Sequence, residues 1–471
     1  MNLMKHLFFS SFIFFFLLSP TLEQETNQMR FAFTIFRHGA RSPYSGMTPT
    51  FVDWFGYQWS GVKELTAVGL RQHYLLGFRN NLHYIVNNNL LSEVYDPREI
   101  YVISTDSNRT LLSANAQLQG LYQANKDTAP VLSDLQIENA VPPNDPATYD
   151  EEKKQLKADP LPNKMYILPV HTFFTRDKYI QLQDKKVCPG VKDIYDKNEK
   201  REVVQNFFKE ITEKFGQKIG TLIGETKTDF FYNYTKSYSI LDNIIALDAD
   251  GRDTSKFEKA GINFKELLTY AEKFFDLDFV GKGEGHDEIG LISMSPIFRN
   301  ILSWMQKKIQ LDIEGKENYI GYDAPKFIMY SAHDSTVGAF EAFMKAVFGY
   351  EVIYAKFAAN AHLELLRTEV PAGTAIKESD YKVRYLFDDK EISIMPFTEF
   401  KNTINGKLKT AEEIETFCKF AQKEEKTSSL NGYMIATIVL GVVAVCLIGV
   451  VIYLFMKKST APKLIPITDD V

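Results

Sequence analysis

Strand-like segments lie only toward the two ends of this 471-residue chain, and that separation constrains the fold more than any other feature. Residues 30–36 (RFAFTIF) and 100–104 (IYVIS) are apolar and rich in β-formers, as are 326–332 (KFIMYSA), 361–367 (AHLELLR) and 381–387 (YKVRYLF). Between them, from 200 to 285, the pattern is helical, with amphipathic pieces at 203–223 and 256–276. Residues 64–80 predict a helix with Thr66 near its N-cap and Leu65, Val68, Leu75 and Leu76 on its apolar side. Residues 110–123 predict another, with Leu111, Leu118, Leu121 and Tyr122 facing inward, and the Pro- and Asp-rich stretch 126–165 reads as a loop or the entrance to an insertion. The expectation is an α/β core assembled from about 28–125 and 290–400, interrupted by a mostly helical cap at about 126–289.

The ends read differently. Lys5 precedes an apolar run, 7–18, too short to span a bilayer, so 1–23 reads as a secretory signal peptide, the alternative being an uncleaved anchor. Residues 432–455 are free of charge and long enough to cross a bilayer, for which a helix needs about 20 residues. Lys457 and Lys458 follow at once and place that end in the cytoplasm. The expected topology is a single-pass type I membrane protein: a luminal or extracellular domain at 24–420, a polar stalk at 421–431, the membrane helix, and a cytoplasmic tail at 456–471. The tail holds no tyrosine sorting signal, so lysosome, other acidic vesicle and cell surface all stay open. Cys188 and Cys418 are the cysteines outside the span, either bridged or left as two free buried thiols. Of two Asn-X-Thr sequons, Asn233 is the better glycan site, because Asn108 directly adjoins Arg109. A net charge of −6 shows no basic excess of the kind a nucleic-acid binder carries, so any anion site is local.

The local candidate is Arg37-His38-Gly39-Ala40-Arg41-Ser42-Pro43, directly after a strand. Ligands of open α/β sheets bind beyond the carboxyl ends of strands. Arginine's planar fork matches a phosphate, and the glycine lets the backbone approach it. Arg-His-Gly-X-Arg-X-Pro resembles the signature of the histidine acid phosphatases, the acid phosphatase and phytase branch of the histidine phosphatase superfamily. Three further segments resemble that family in order and spacing: Glu64-Leu65-Thr66 through Gln72-His73, Ser104 through Ala114 with Arg109, and Ser331-Ala332-His333-Asp334-Ser335-Thr336. Leu168-Pro169-Val170-His171-Thr172 resembles a fourth, in which we read His171 as structural.

The resemblance implies a phosphoglycerate-mutase-like core, a central mixed sheet flanked by helices, and often a homodimer. It implies that His38 attacks phosphorus as the nucleophile and that Asp334 is the proton donor. Arg37, Arg41, Arg109 and His333 would bind the phosphate, with no metal or other cofactor. The expected activity is hydrolysis of small phosphorylated substrates at acid pH, because the arginines oppose protonation of His38. Alternatives are a phytase-like inositol phosphate phosphatase or an inactive receptor that keeps the fold. His73 and His362 read as core or helix-surface residues, Gly281–Gly285 as a flexible turn and His286 as a loop residue.

Overall fold

The computed structural model describes residues 27–123, 131–142, 149–165, 167–172, 179 and 181–420. The expected signal peptide and membrane helix lie outside the described residues. Among the described residues no helix is long and apolar enough to cross a membrane.

Seven strands form one mixed sheet: β1 (Asn27–Arg37), β2 (Ile100–Ser104), β3 (His171–Thr172), β4 (Phe327–Ala332), β5 (Asn360–Thr368), β6 (Tyr381–Phe387) and β7 (Lys390–Pro396). Their order is β3-β2-β4-β1-β5-β6-β7. β1, β2, β3 and β4 run parallel, while β5, β6 and β7 alternate antiparallel from β1 outward. β1 and β4 are buried along most of their length, as central strands covered on both faces must be. The parallel pair β1–β4 ends at Arg37 and Ala332, so the residues that follow, His38 and His333, emerge side by side.

Helices cover both faces. On one lie α1 (Ala67–Asn80) and α2 (Asn108–Leu121) over Phe36, Val102 and Met329. On the other, α7 (His286–Ile313) and α8 (Asp334–Phe348) pack Phe298, Phe340 and Phe343 against Phe33 and Tyr385. The helices α4 (Glu202–Ile223), α5 (Tyr234–Ala249) and α6 (Phe264–Asp278) make the cap, which has its own aromatic core around Phe207, Phe231, Phe257 and Phe274. α3 (Pro189–Asn198) connects cap and core, and α9 (Phe397–Asn405) and α10 (Ala411–Phe417) close the far end. Cys188, at the start of α3, is disulfide-bonded to Cys418 after α10.

Three expectations need correction. The cap is not confined to 126–289: Phe55 and Trp59, from the loop after the arginine motif, are buried in the cap's core, and β3 from inside the expected cap range joins the sheet. The stretch 256–276 is two helices, Ser255–Lys259 and Phe264–Asp278, separated by Gly261 at positive φ. The inward face of α1 also differs from the expectation. Thr66 caps it as expected, but Val68 and Leu75 are 38% and 56% exposed, and the buried side carries Gly69, His73, Gly77 and Asn80. A Cβ at Gly77 would collide with the Gln117 carbonyl of α2, and one at Gly69 with the Ala40 backbone. The inward face is therefore chosen for close backbone approach rather than for apolar bulk.

Candidate active site

The local sequence explains how the motif is held. His38 N donates to Ala332 O of β4 at 3.0 Å, and His38 O accepts from Ala358 N. Gly39 N donates to Ser113 Oγ on α2 at 3.1 Å and Ala40 N to Gln72 Oε1 on α1 at 2.8 Å. Ser331 Oγ donates to Thr110 O at 2.7 Å, tying α2 to β4. Segments far apart in sequence thus converge on one loop at the carboxyl end of the sheet.

His38 is buried, and its Nδ1 lies 2.9 Å from Gly39 O. A carbonyl only accepts, so Nδ1 carries the proton and the Nε2 lone pair is left free. Burial, reinforced by Arg109, Arg37, the neighbouring His333 and Arg41, holds its pKa well below the usual histidine value. The His333 ring stands edge-on at 5.6 Å. His333 Nδ1 accepts from Arg109 Nη2 at 3.1 Å, which leaves Nε2 to donate to Thr105 Oγ1 at 3.0 Å. Burial and then Arg109 lower its pKa to about 3, so it too is neutral.

Arg37 donates to Ala355 O at 2.8 Å and pairs with Asp334 at 2.9 Å. Arg41 pairs with Asp242 of α5, and Phe357 lies under both guanidiniums, 4.1 Å from Arg37 and 5.6 Å from Arg41. Burial and Arg41 lower the Arg109 pKa to about 10. The Nε–H groups of Arg37 and Arg109 are buried without a hydrogen-bond partner. Such donors are costly unless an acceptor arrives. The Asp334 carboxyl is pushed up by burial, but Arg37 and Arg41, with His333, outweigh that and hold it below the usual carboxylate range.

The six residues singled out from the sequence, Arg37, His38, Arg41, Arg109, His333 and Asp334, therefore meet in one pocket. The sequence reading missed Asp242, Thr105, Tyr354 and Phe357. The first two are chemically ordinary until the fold brings them beside Arg41 and His333; Tyr354 and Phe357 follow α8 in a loop with no motif of its own.

The other histidines lie elsewhere. His73 is buried between Phe36 and Gln117, and His362 is buried against Tyr84, so both are core residues. His171 sits exposed on edge strand β3, stacked 4.8 Å from Tyr101. His286 is a correction: it is buried at the first turn of α7, and its Nδ1 lies 3.1 and 3.0 Å from the amides of Gly281 and Gly283. The glycine turn thus closes on the chain's own imidazole. Asn233 is exposed and caps α5 with Oδ1, accepting from Lys236 N at 2.9 Å, whereas Asn108 Nδ2 donates to Glu64 Oε1 at 3.0 Å. Among the described residues no group of three or more His, Cys, Asp or Glu is placed to share a metal ion.

The sequence model of the histidine phosphatase superfamily (branch 2) matches residues 28–388. Lysosomal acid phosphatase of Xenopus laevis is 25% identical over 339 residues, which are 70% of this chain. The chain spans just under two thirds of that relative's length, 65%. Human prostatic acid phosphatase is 24% identical over 332 residues, 70% of this chain and 72% of its own length. The solved structure of a Klebsiella phytase superposes with a TM-score of 0.50 at 13% identity, covering 82% of this chain and 97% of that one, a likeness of fold. The match over 28–388 contains every residue of the pocket, and the chain belongs to the histidine phosphatase superfamily, branch 2.

Proposed function

We propose that this chain is an acid phosphatase that hydrolyses phosphate monoesters through a phosphohistidine at His38. The observation that carries the reading is a neutral imidazole with its Nε2 lone pair free, set among three arginines of which two hold a buried, unpaired Nε–H. Phosphoryl transfer asks mainly for positioning and for charge opposite the equatorial oxygens. In this reading Nε2 of His38 attacks phosphorus, and the ester oxygen leaves with a proton from Asp334. Water then attacks the phosphorus of the P–N intermediate and passes its proton to Asp334, releasing phosphate and neutral His38.

Two features of this arrangement must change when substrate enters. Asp334 is held ionised by Arg37 and Arg41, and a phosphoryl dianion between those guanidiniums cancels their field and lets the carboxyl take a proton. His333 has both nitrogens engaged; drawing Arg109 onto phosphate frees Nδ1, and the dianion favours the protonated, donating ring. Both changes need protons, which supports an acidic optimum.

The charge-free segment 432–455, with Lys457 and Lys458 after it, supports a single-pass type I anchor with this domain luminal or extracellular. The lysosomal acid phosphatase relative and the Cys188–Cys418 bridge support an acidic, oxidising compartment such as the lysosome.

The test is phosphate release by the full chain in detergent from an aryl phosphate, across pH 3.5–8, with and without chelator. The reading expects an acid peak that survives chelation. A peak above pH 7 would contradict the electrostatics, and a folded protein without turnover would favour the receptor alternative.

A further inference from the structure

Asp242 lies in the cap, 201 residues from Arg41 in sequence, yet the two form a buried ion pair. Its Oδ1 accepts from Arg41 Nη2 at 2.7 Å, and its Oδ2 accepts from Arg41 Nη1 at 3.1 Å and from the Tyr44 amide at 2.6 Å. Arg41 Nη1 gives its other hydrogen to Ser42 O at 3.0 Å. A guanidinium has five N–H groups in a fixed plane. Both on Nη1 and one on Nη2 are used. The two that remain, on Nε and Nη2, lie along one edge and form the side-on fork that fits two oxygens of a phosphate.

The same face of α5 grips the same loop at two neighbouring positions. Ser239 Oγ accepts from Trp54 Nε1 at 2.9 Å, and Asn243 Nδ2 donates to Ser45 O at 3.1 Å. Residues 239, 242 and 243 fall on one side of a helix.

We propose that Asp242 is a positioning residue: it holds Arg41 end-on, so that the side edge of the guanidinium faces the phosphoryl group and the cap helix sets phosphate affinity. This inference rests on the phosphatase reading and deepens it. A pure charge argument gives the opposite sign. Removing a carboxylate makes the pocket more positive and would tighten an anion; loss of orientation loosens it.

The test is binding of inorganic phosphate to the full chain by calorimetry, with kcat and KM measured alongside, for wild type, Asp242→Asn, Asp242→Glu, Arg41→Ala and the Arg41→Ala/Asp242→Asn pair. Positioning expects Asp242→Asn to weaken phosphate at least 10-fold and raise KM more than it lowers kcat. Asp242→Glu should recover part of the loss, and Asp242→Asn should add little once Arg41 is gone. Should Asp242→Asn unfold, the comparison moves to Trp54→Phe, which removes one neighbouring grip and should weaken phosphate two- to five-fold. Unchanged or tighter phosphate binding in a folded variant, or losses that simply multiply in the double variant, would overturn the proposal. Because binding is read without turnover, an inactive protein that still binds phosphate through Arg41 and Asp242 would overturn only the phosphatase reading. A wild type that binds no phosphate would overturn both.

Discussion

Strand β1 carries an arginine cluster at each end, and the two differ in how many carboxylates answer them. At the amino end, Arg30 holds Asp312 through two hydrogen bonds of 2.7 and 2.5 Å, and Arg367 pairs with Glu317 at 2.8 Å. Tyr381 donates to the same Asp312 at 2.7 Å. At the carboxyl end, Arg37 and Arg41 have carboxylates, but Arg109 has only the ring nitrogen of a neutral histidine. Each arginine of the first cluster is answered by a carboxylate and ties β1 to α7 and β5. The second cluster sets three arginines against two carboxylates, at a cost in stability, and that surplus of positive charge fits a site that receives an anion.

Substitutions at the two ends should therefore fail in opposite ways. Arg109→Met is expected to lower kcat/KM by about 10²–10³, with the melting temperature unchanged or raised. Asp334→Asn should lose about 10²–10⁴ in kcat on alkyl phosphates and much less on nitrophenyl phosphate, whose leaving group needs no proton. Arg30→Met removes the main cationic partner of the buried Asp312, which keeps Tyr381 and the more distant Arg367 at 3.6 Å, and should cost at most about 3–5 kcal/mol in denaturant unfolding, while the folded fraction keeps its kcat/KM. An Arg109 variant that unfolds, or an Arg30 variant that loses turnover while folded, would erase the distinction.

Much of this was legible in the sequence, and the remainder shows which information is non-local. The strands 30–36, 100–104, 326–332, 361–367 and 381–387 announced themselves because the sheet buries their apolar side chains. β7 did not, because its side chains are largely exposed and no buried face imposes a pattern. Its turn, Asp388-Asp389 with both residues at positive φ, lacks the usual glycine. The inward face of α1 was hidden because glycines pack by allowing backbones to touch, which hydrophobic periodicity cannot register. The pocket itself was readable because Arg37, His38 and Arg41 share one loop and His333-Asp334 directly follow a strand. Asp242 was not, since nothing local marks an aspartate in a cap helix until its arginine is folded against it.

A smaller effect separates the two ends of the pH scale. Burial pushes the Glu341 carboxyl, which accepts from Tyr385, up to about 8. Burial, with Glu199 and Asp334 nearby, pushes Asp278 to about 7 against the opposing Tyr234 and Lys185. Both folded pKa values lie above those of the unfolded chain, so these groups stabilise the fold fully in acid and that stability is lost as pH rises toward 7–8. The slope is at most about 1.4 kcal/mol per pH unit for each group. Burial lowers His73 and His286 to about 4 and His362 to about 3, which removes stability as pH falls below 6.5. Maximum stability is expected near pH 5–6.5. Glu341→Gln should flatten the alkaline decline in melting temperature; an unchanged decline would assign it to other groups. The smallest expected effect concerns Asn233. Thr235→Ala removes the sequon and keeps the cap of α5, whereas Asn233→Gln removes both, so only the latter should lose about 1 kcal/mol beyond the glycan's own contribution.

The most direct test of the account is to trap the intermediate. The full chain is mixed with a ³²P-labelled phosphate monoester at pH 5, quenched in alkali within milliseconds and mapped by peptide. The account predicts an alkali-stable, acid-labile phosphoryl group on Nε2 of His38, absent from His38→Ala. Label on another residue, or turnover that survives intact in His38→Ala, would contradict it.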